Sequence, residues 1–144
     1  MRGGKKVAIV LASALLLWAP WCVQESTSAE AAESDPADDL SPEAAAAWIR
    51  EKGPRGDFVL LDVRTPEEYR DGHIAGALLI DYRSPSFKDD LGRLDRGKTY
   101  LVYCRTGNRS GKAVSLMEEL RFRKVHHLSG GILKWKEAGF PTVR

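Results

Sequence analysis

The chain has 144 residues, 22 of them Lys or Arg against 20 Asp or Glu, and 43% are hydrophobic. That suffices for one globular domain with a core of its own. The near-cancelling charges leave no surplus to build a clustered basic face, so a nucleic-acid partner is excluded.

The first predicted element lies outside the domain. Arg2, Lys5 and Lys6 precede an apolar run over residues 7–23, and small residues follow, including Ser28, Ala29, Ala31 and Ala32. This is the pattern of an export signal cut near Ala29 or Ala31. Residues 1–31 are therefore expected to be a signal peptide, and the protein to be exported to a periplasm. The alternative is an uncleaved inner-membrane anchor facing the periplasm, because a run of about 17 apolar residues sits at the lower edge for a membrane span. A membrane is a partner only in that case. Bulky Trp21 and rigid Pro20 beside Cys22 argue against lipid attachment there. Once the signal is removed, Cys104 is the single thiol. It can form no internal disulfide, which points to a reactive thiol or an intermolecular bond.

Residues 32–39 are acidic, small and Pro-containing, and read as a flexible linker. The domain is expected over 40–144. Ser41 is placed to cap a helix with Pro42 at its first position, running to Lys52 and stopped by Gly53-Pro54. Residues 58–61 form a continuous apolar run, expected to be a buried strand. Thr65, Pro66 and Glu68 spell a capping box, so a short helix follows to about Arg70. A second buried strand is expected over 77–80, then a loop with a short helix over 84–94. A third strand is expected over 100–103, and a helix over 110–121 with Ala113, Val114, Met117 and Leu120 on its core face. A fourth strand covers 124–128, and Gly130-Gly131 turns the chain into a last helix holding Leu133 and Trp135. Strands alternating with helices predict an α/β domain with a mostly parallel sheet, whose site lies beyond the carboxyl ends of the strands.

The loop Cys104-Arg105-Thr106-Gly107-Asn108-Arg109 lies at such an end, between a predicted strand and a predicted helix. Unpaired amides and the positive end of a helix dipole would face the sulfur, and two arginines add charge. Such surroundings can bring a thiol pKa from about 8.5 into the range of roughly 3.5–7.5. A buried structural cysteine is the bland alternative, but it needs no Arg-Thr-Gly-Asn-Arg behind it. His126 and His127, adjacent on a strand, face opposite sides. Without a second cysteine or ligand spacing they make no metal site, and no cofactor is expected. His73, after Gly72, reads as a structural hydrogen-bonder, and Trp135 as core.

Three separated stretches resemble the rhodanese family: 61–69 with 72–77, 103–110, and Gly130-Gly131-Ile132 with Trp135, Ala138-Gly139 and Pro141. The resemblance covers about 40–144. It implies a rhodanese-like three-layer α/β domain, a parallel five-stranded sheet with helices on both faces. It implies sulfur transfer from a small anionic donor such as thiosulfate, through a persulfide on Cys104, to a thiol or cyanide acceptor. By resemblance Arg109 would hold the donor anion, Arg105 would pair with Asp62 and brace the loop, and Arg64 would pair with Glu68 or a neighbouring carboxylate. Asp62 and Arg64 can equally be a structural salt-bridge network. Thr106, Asn108 and Ser110 complete the loop, and Gly107 would let it curl with φ above zero. A nest of amides suits a persulfide anion, and the planar fork of Arg suits a tetrahedral oxyanion.

Two other functions share this pattern. One is a phosphatase or arsenate reductase on the same fold, but the spacing here is Cys-x4-Arg rather than Cys-x5-Arg, and no Asp general acid stands out. The other is a non-catalytic rhodanese-like binding module, although such modules typically lack the cysteine.

Overall fold

The computed structural model describes residues 38–144. The expected export segment 1–31, Cys22 and residues 32–37 of the expected linker lie outside the described residues.

Within them the order is β1 (Asp39–Leu40), α1 (Pro42–Lys52), β2 (Phe58–Asp62), α2 (Pro66–Arg70), β3 (Leu78–Leu79), α3 (Phe87–Gly92), β4 (Thr99–Tyr103), α4 (Asn108–Glu119), β5 (Lys124–Leu128) and α5 (Gly131–Glu137). The five strands form one sheet in the order β1-β5-β4-β2-β3, and every pairing is parallel. β4 is central, and its Tyr100, Leu101, Val102 and Tyr103 are almost wholly buried. A strand covered on both faces carries no polar alternation, which is why 100–103 reads as an unbroken apolar run.

Helices cover both faces. One core layer joins Leu61, Val63, Tyr100 and Val102 to Phe87 and Leu91 of α3 and to Ala113, Val114 and Met117 of α4. The other joins Leu60, Leu101, Tyr103 and Leu128 to Ala45 of α1 and to Ile132 and Trp135 of α5. The expected caps form. Ser41 Oγ accepts from the Ala44 amide at the start of α1, and Thr65 and Glu68 close a reciprocal capping box on α2.

Four sequence expectations are corrected. The buried strand expected over 77–80 is the two-residue β3, and Leu78 is 44% exposed. β3 is an edge strand that pairs with β2 alone, so one side has no neighbour to cover it. The fifth strand is β1, which includes Asp39 from the stretch read as linker; pairing with β5 uses backbone groups and is indifferent to the acidic side chain. α4 begins at Asn108, two residues before the expected start, because Gly107 with φ 102° turns the chain straight into the helix. It ends at Glu119, with Arg121 left-handed at φ 66° and the Phe122 amide bonded back to Met117 O at 3.0 Å.

This topology positions the site. From β2 the chain moves outward to β3, and from β4 it moves the opposite way to β5. The connections leaving β2 and β4 diverge and open a crevice at their carboxyl ends. Arg64, Thr65 and Glu68 line one wall, and Arg105 and Arg109 of the loop after β4 line the other.

Candidate active site

Cys104 follows β4 directly and is 1% exposed. Its sulfur accepts from the Gly107 amide at 3.2 Å and from the Ser110 hydroxyl at 3.3 Å. The loop is held in this shape from behind. The amides of Ile132 and Leu133, in the first turn of α5, donate to Cys104 O at 2.9 Å and Arg105 O at 3.2 Å. Loop carbonyls therefore point at α5 while loop amides point at the sulfur. Gly131 permits this approach: its φ is 61°, and a Cβ there would lie 2.5 Å from Cys104 O. Burial alone would raise the thiol pKa. The Ser110 hydroxyl and the amides of Ser110, Gly107 and Thr106 outweigh it, and the net pKa lies below the ordinary thiol value.

Asp62, the last residue of β2, is fully buried and belongs to Arg64, not to Arg105. Its Oδ1 accepts from the Arg64 amide at 2.9 Å and from Nε at 3.0 Å, and its Oδ2 from Nη2 at 2.7 Å. Arg64 is also buried, and donates onward to Glu68 O and Gly72 O at 3.0 and 2.9 Å. The expectation that Arg64 pairs with Glu68 or a neighbouring carboxylate is met by the neighbour. The pair is an internal staple between β2, α2 and the turn at Gly72, and it leaves Asp62 no free face for Arg105.

Arg105 is exposed and makes no ion pair among the described residues. The bracing expected of it falls to Arg109, whose Nη1 and Nη2 each donate at 2.7 Å to the two carboxylate oxygens of Glu68. This fork holds the Glu68 carboxyl at about 2, against an ordinary 4.5, despite partial burial. Glu68 thus caps α2 and locks α4 to it. The capping box signals the first task in sequence; no local pattern signals the second.

Beside the loop lies a cleft of about 550 Å³, lined by Arg105 and Arg109 of the loop but not by Cys104 itself. Arg64 and Arg109 line it with their charges matched by carboxylates, and exposed Arg83, Arg105 and Lys136 outnumber the remaining carboxylate, Asp71, so that the lining is net positive. Of the expected loop residues, Cys104, Gly107 and Ser110 meet at the sulfur, Arg105 and Arg109 line the cleft, and Thr106 and Asn108 are exposed on the loop.

The sequence places His127 only on one side of its strand. It lies behind the loop, with Nε2 2.8 Å from Ser110 Oγ and Nδ1 2.7 Å from Asp39 Oδ1. The available signal was the period of two along β5, which puts His127 on one face and His126 on the other. His126 packs edge-on against Trp48. His73 bonds Tyr69 O through Nδ1 at 3.1 Å and pairs with Val143, a structural role. Among the described residues no group of three or more His, Cys, Asp or Glu is placed to hold a metal ion.

A family model described as Rhodanese-like domain matches residues 41–138. Uncharacterized protein slr1261 of Synechocystis is 39% identical over 88 residues, covering 60% of this chain and 47% of that protein. The chain thus matches under half of that relative's length. Thiosulfate sulfurtransferase PspE of Escherichia coli is 31% identical over 84 residues, covering 58% of this chain and 77% of that one. The crystal structure of a rhodanese-related protein from Thermoplasma volcanium matches at a TM-score of 0.64 and 30% identity, over 74% of this chain and 97% of that chain.

Proposed function

The chain belongs to the rhodanese-like family, and on that premise we propose that it is a sulfurtransferase carrying sulfane sulfur on Cys104. Relatives named as sulfurtransferases support that chemistry in general terms. The observation that carries the reading to this residue is the sulfur itself. It accepts hydrogen bonds from Gly107 and Ser110 in a loop whose Arg105 and Arg109 line a net-positive cleft.

Such surroundings favour the thiolate over the thiol, and the donor is a small dianion such as thiosulfate. The thiolate attacks the outer sulfur, the S–S bond breaks, and sulfite leaves with the bonding pair. The product persulfide keeps one negative charge, which the same amides stabilise as they stabilised the thiolate. Arg105, with Arg83 and Lys136, draws the anion in, while Arg109 adds N–H donors from a position fixed by Glu68. A thiol or cyanide then takes the outer sulfur and regenerates the thiolate. The reading places the domain in a periplasm, on the strength of the charged and apolar N-terminal pattern of 1–31.

Intact-mass measurement of the protein purified from cells, before and after thiosulfate, tests both parts. The expected result is a chain beginning after Ala29 or Ala31 that gains one sulfur atom, loses it to cyanide as thiocyanate, and fails to gain it as Cys104→Ser. A wild-type protein that gains no sulfur, or a Cys104→Ser protein that still makes thiocyanate, overturns the assignment. Hydrolysis of an aryl phosphate in place of sulfur uptake would favour a phosphatase.

A further inference from the structure

We propose that His127, held by Asp39, is a positioning residue that takes the Cys104 proton through the Ser110 hydroxyl, so that thiolate and imidazolium form together. The inference rests on reading Cys104 as the sulfur-carrying nucleophile.

Four side chains from four parts of the fold line up behind the loop. Cys104 Sγ is 3.3 Å from Ser110 Oγ, Ser110 Oγ is 2.8 Å from His127 Nε2, and His127 Nδ1 is 2.7 Å from Asp39 Oδ1. Ser110 is fully buried and His127 is 14% exposed, so water does not displace the middle of the chain. Asp39, at 71% exposed, closes its outer end.

The Ser110 hydroxyl can also donate to Gly107 O at 3.1 Å, which takes it out of the relay; two proton arrangements link all four groups. An ionised carboxylate only accepts, so Nδ1 carries a proton in both. In the first, the ring is neutral: the Ser110 hydroxyl donates to Nε2, and its oxygen can accept only from the Cys104 thiol. In the second, the Ser110 hydroxyl donates to the sulfur and Nε2 carries a proton. Gly107 O, 3.1 Å from Nε2, accepts from the ring in this second state and has nothing to accept from it in the first. Passing between the two moves two protons. The S–H proton goes to Oγ while the Oγ proton goes to Nε2, and the electron pair of the S–H bond stays on sulfur. Ser110 ends unchanged, sulfur gains one negative charge and the ring one positive. The sulfur attacks the donor only in the second arrangement.

Other charges near the relay are few and fixed. In the sheet His127 lies between Asp39 of β1 and Val102 of β4, and above it sit Gly107 and Ser110. Asp39 is the charged group among these. On the far side of the sulfur the charged group is Arg109, already matched by Glu68.

A purely structural His127, tying β1 to α4, would show the same distances. The two roles differ in how the thiol titrates, because an imidazolium beside the thiolate favours ionisation. The experiment is the rate of Cys104 alkylation by iodoacetamide against pH in the full chain. Thermal melts confirm that each variant is folded. His127→Gln keeps a hydrogen-bonding group but cannot take a proton. It is expected to raise the midpoint by roughly one pH unit, and so to slow alkylation about tenfold at pH below both midpoints. Asp39→Asn is expected to raise it less, in the same direction. In a Ser110→Ala background the His127→Gln shift should be smaller, since the hydroxyl that joins the two groups is gone. An unchanged midpoint in folded His127→Gln overturns the proposal, as does an undiminished shift in the Ser110→Ala background. Should His127→Gln fail to fold, Asp39→Asn decides: a raised midpoint supports the relay and an unchanged one overturns it. Alkylation needs no sulfur donor. A wild-type protein that takes no sulfur from thiosulfate therefore defeats the sulfurtransferase reading alone, and unshifted midpoints in a protein that does take it defeat the relay alone.

Discussion

Glu68 and Arg109 meet as a two-pronged fork, both N–O distances 2.7 Å, across the crevice between α2 and α4. The pair closes the gap that the diverging connections of β2 and β4 leave open. Arg109 is 17% exposed and Glu68 27%, so water screens the fork only in part. Arg109→Ala is expected to destabilise the fold by about 1–2 kcal/mol, less than a fully buried charged pair. Denaturant unfolding of Arg109→Ala, Glu68→Gln and the double variant measures the coupling. Full additivity of the two single effects would show that the fork contributes nothing.

The same pair gives stability a dependence on pH. The Glu68 carboxyl lies near 2 in the fold against an ordinary 4.5. A carboxyl with a lowered folded pKa adds stability above its unfolded value, and loses it as pH falls toward the folded one. The window is therefore about pH 4.5 down to 2. Melts of wild type and Glu68→Gln should differ most at neutral pH, and the gap should close as pH falls through that window. A gap that widens on acidification would contradict the sign.

Arg105 is expected to act on binding alone. It is exposed, lines the cleft and pairs with no carboxylate, so Arg105→Ala should melt like wild type. Its charge is screened, and its loss should raise the KM for thiosulfate about two- to fivefold, with the effect shrinking at high salt. Initial rates at two ionic strengths check this. A lowered melting temperature with an unchanged KM would return Arg105 to the bracing role expected from sequence.

Arg64→Ala should be the most damaging of the arginine changes. It strands the fully buried Asp62 carboxylate and frees Glu68 O and Gly72 O. Removing one partner of a buried pair costs about 3–5 kcal/mol. Chemical denaturation should find the variant largely unfolded or far less stable; a loss under about 1 kcal/mol would mean that water reaches Asp62.

Gly131→Ala tests how the loop is held. Both Gly130 and Gly131 have positive φ, so alanine at either carries a backbone cost of roughly 1–2 kcal/mol. At Gly130 the added carbon meets the Lys134 side chain, whereas at Gly131 it meets Cys104 O and the Arg105 backbone. Gly131→Ala should therefore lower kcat strongly while Gly130→Ala mainly lowers the melting temperature. Equal kcat in the two variants would show that α5 does not set the loop.

Much of this protein is decided locally and is legible without the fold. Thr65-Pro66 with Glu68 forms a capping box from four consecutive residues, and the apolar run 100–103 needs both faces covered wherever it lies. Cys104 at the end of that run and before a helix already implies amides around its sulfur. The partners of the charged residues were not legible, because they are set by elements far apart in the chain. Glu68 and Arg109 are 41 residues apart and meet because β4 lies beside β2; Asp39 and His127 are 88 apart and meet because β1 pairs with β5. Spacing shows that two arginines flank the loop. It does not show which of them turns inward to a carboxylate and which stays in solvent. That choice follows from Glu68 of α2 standing across the crevice from Arg109 at the start of α4. The exposure of Leu78 likewise depends on β3 having a neighbour on one side only. Local chemistry is written in the order of the residues, whereas ion pairs and edges are properties of the packed sheet.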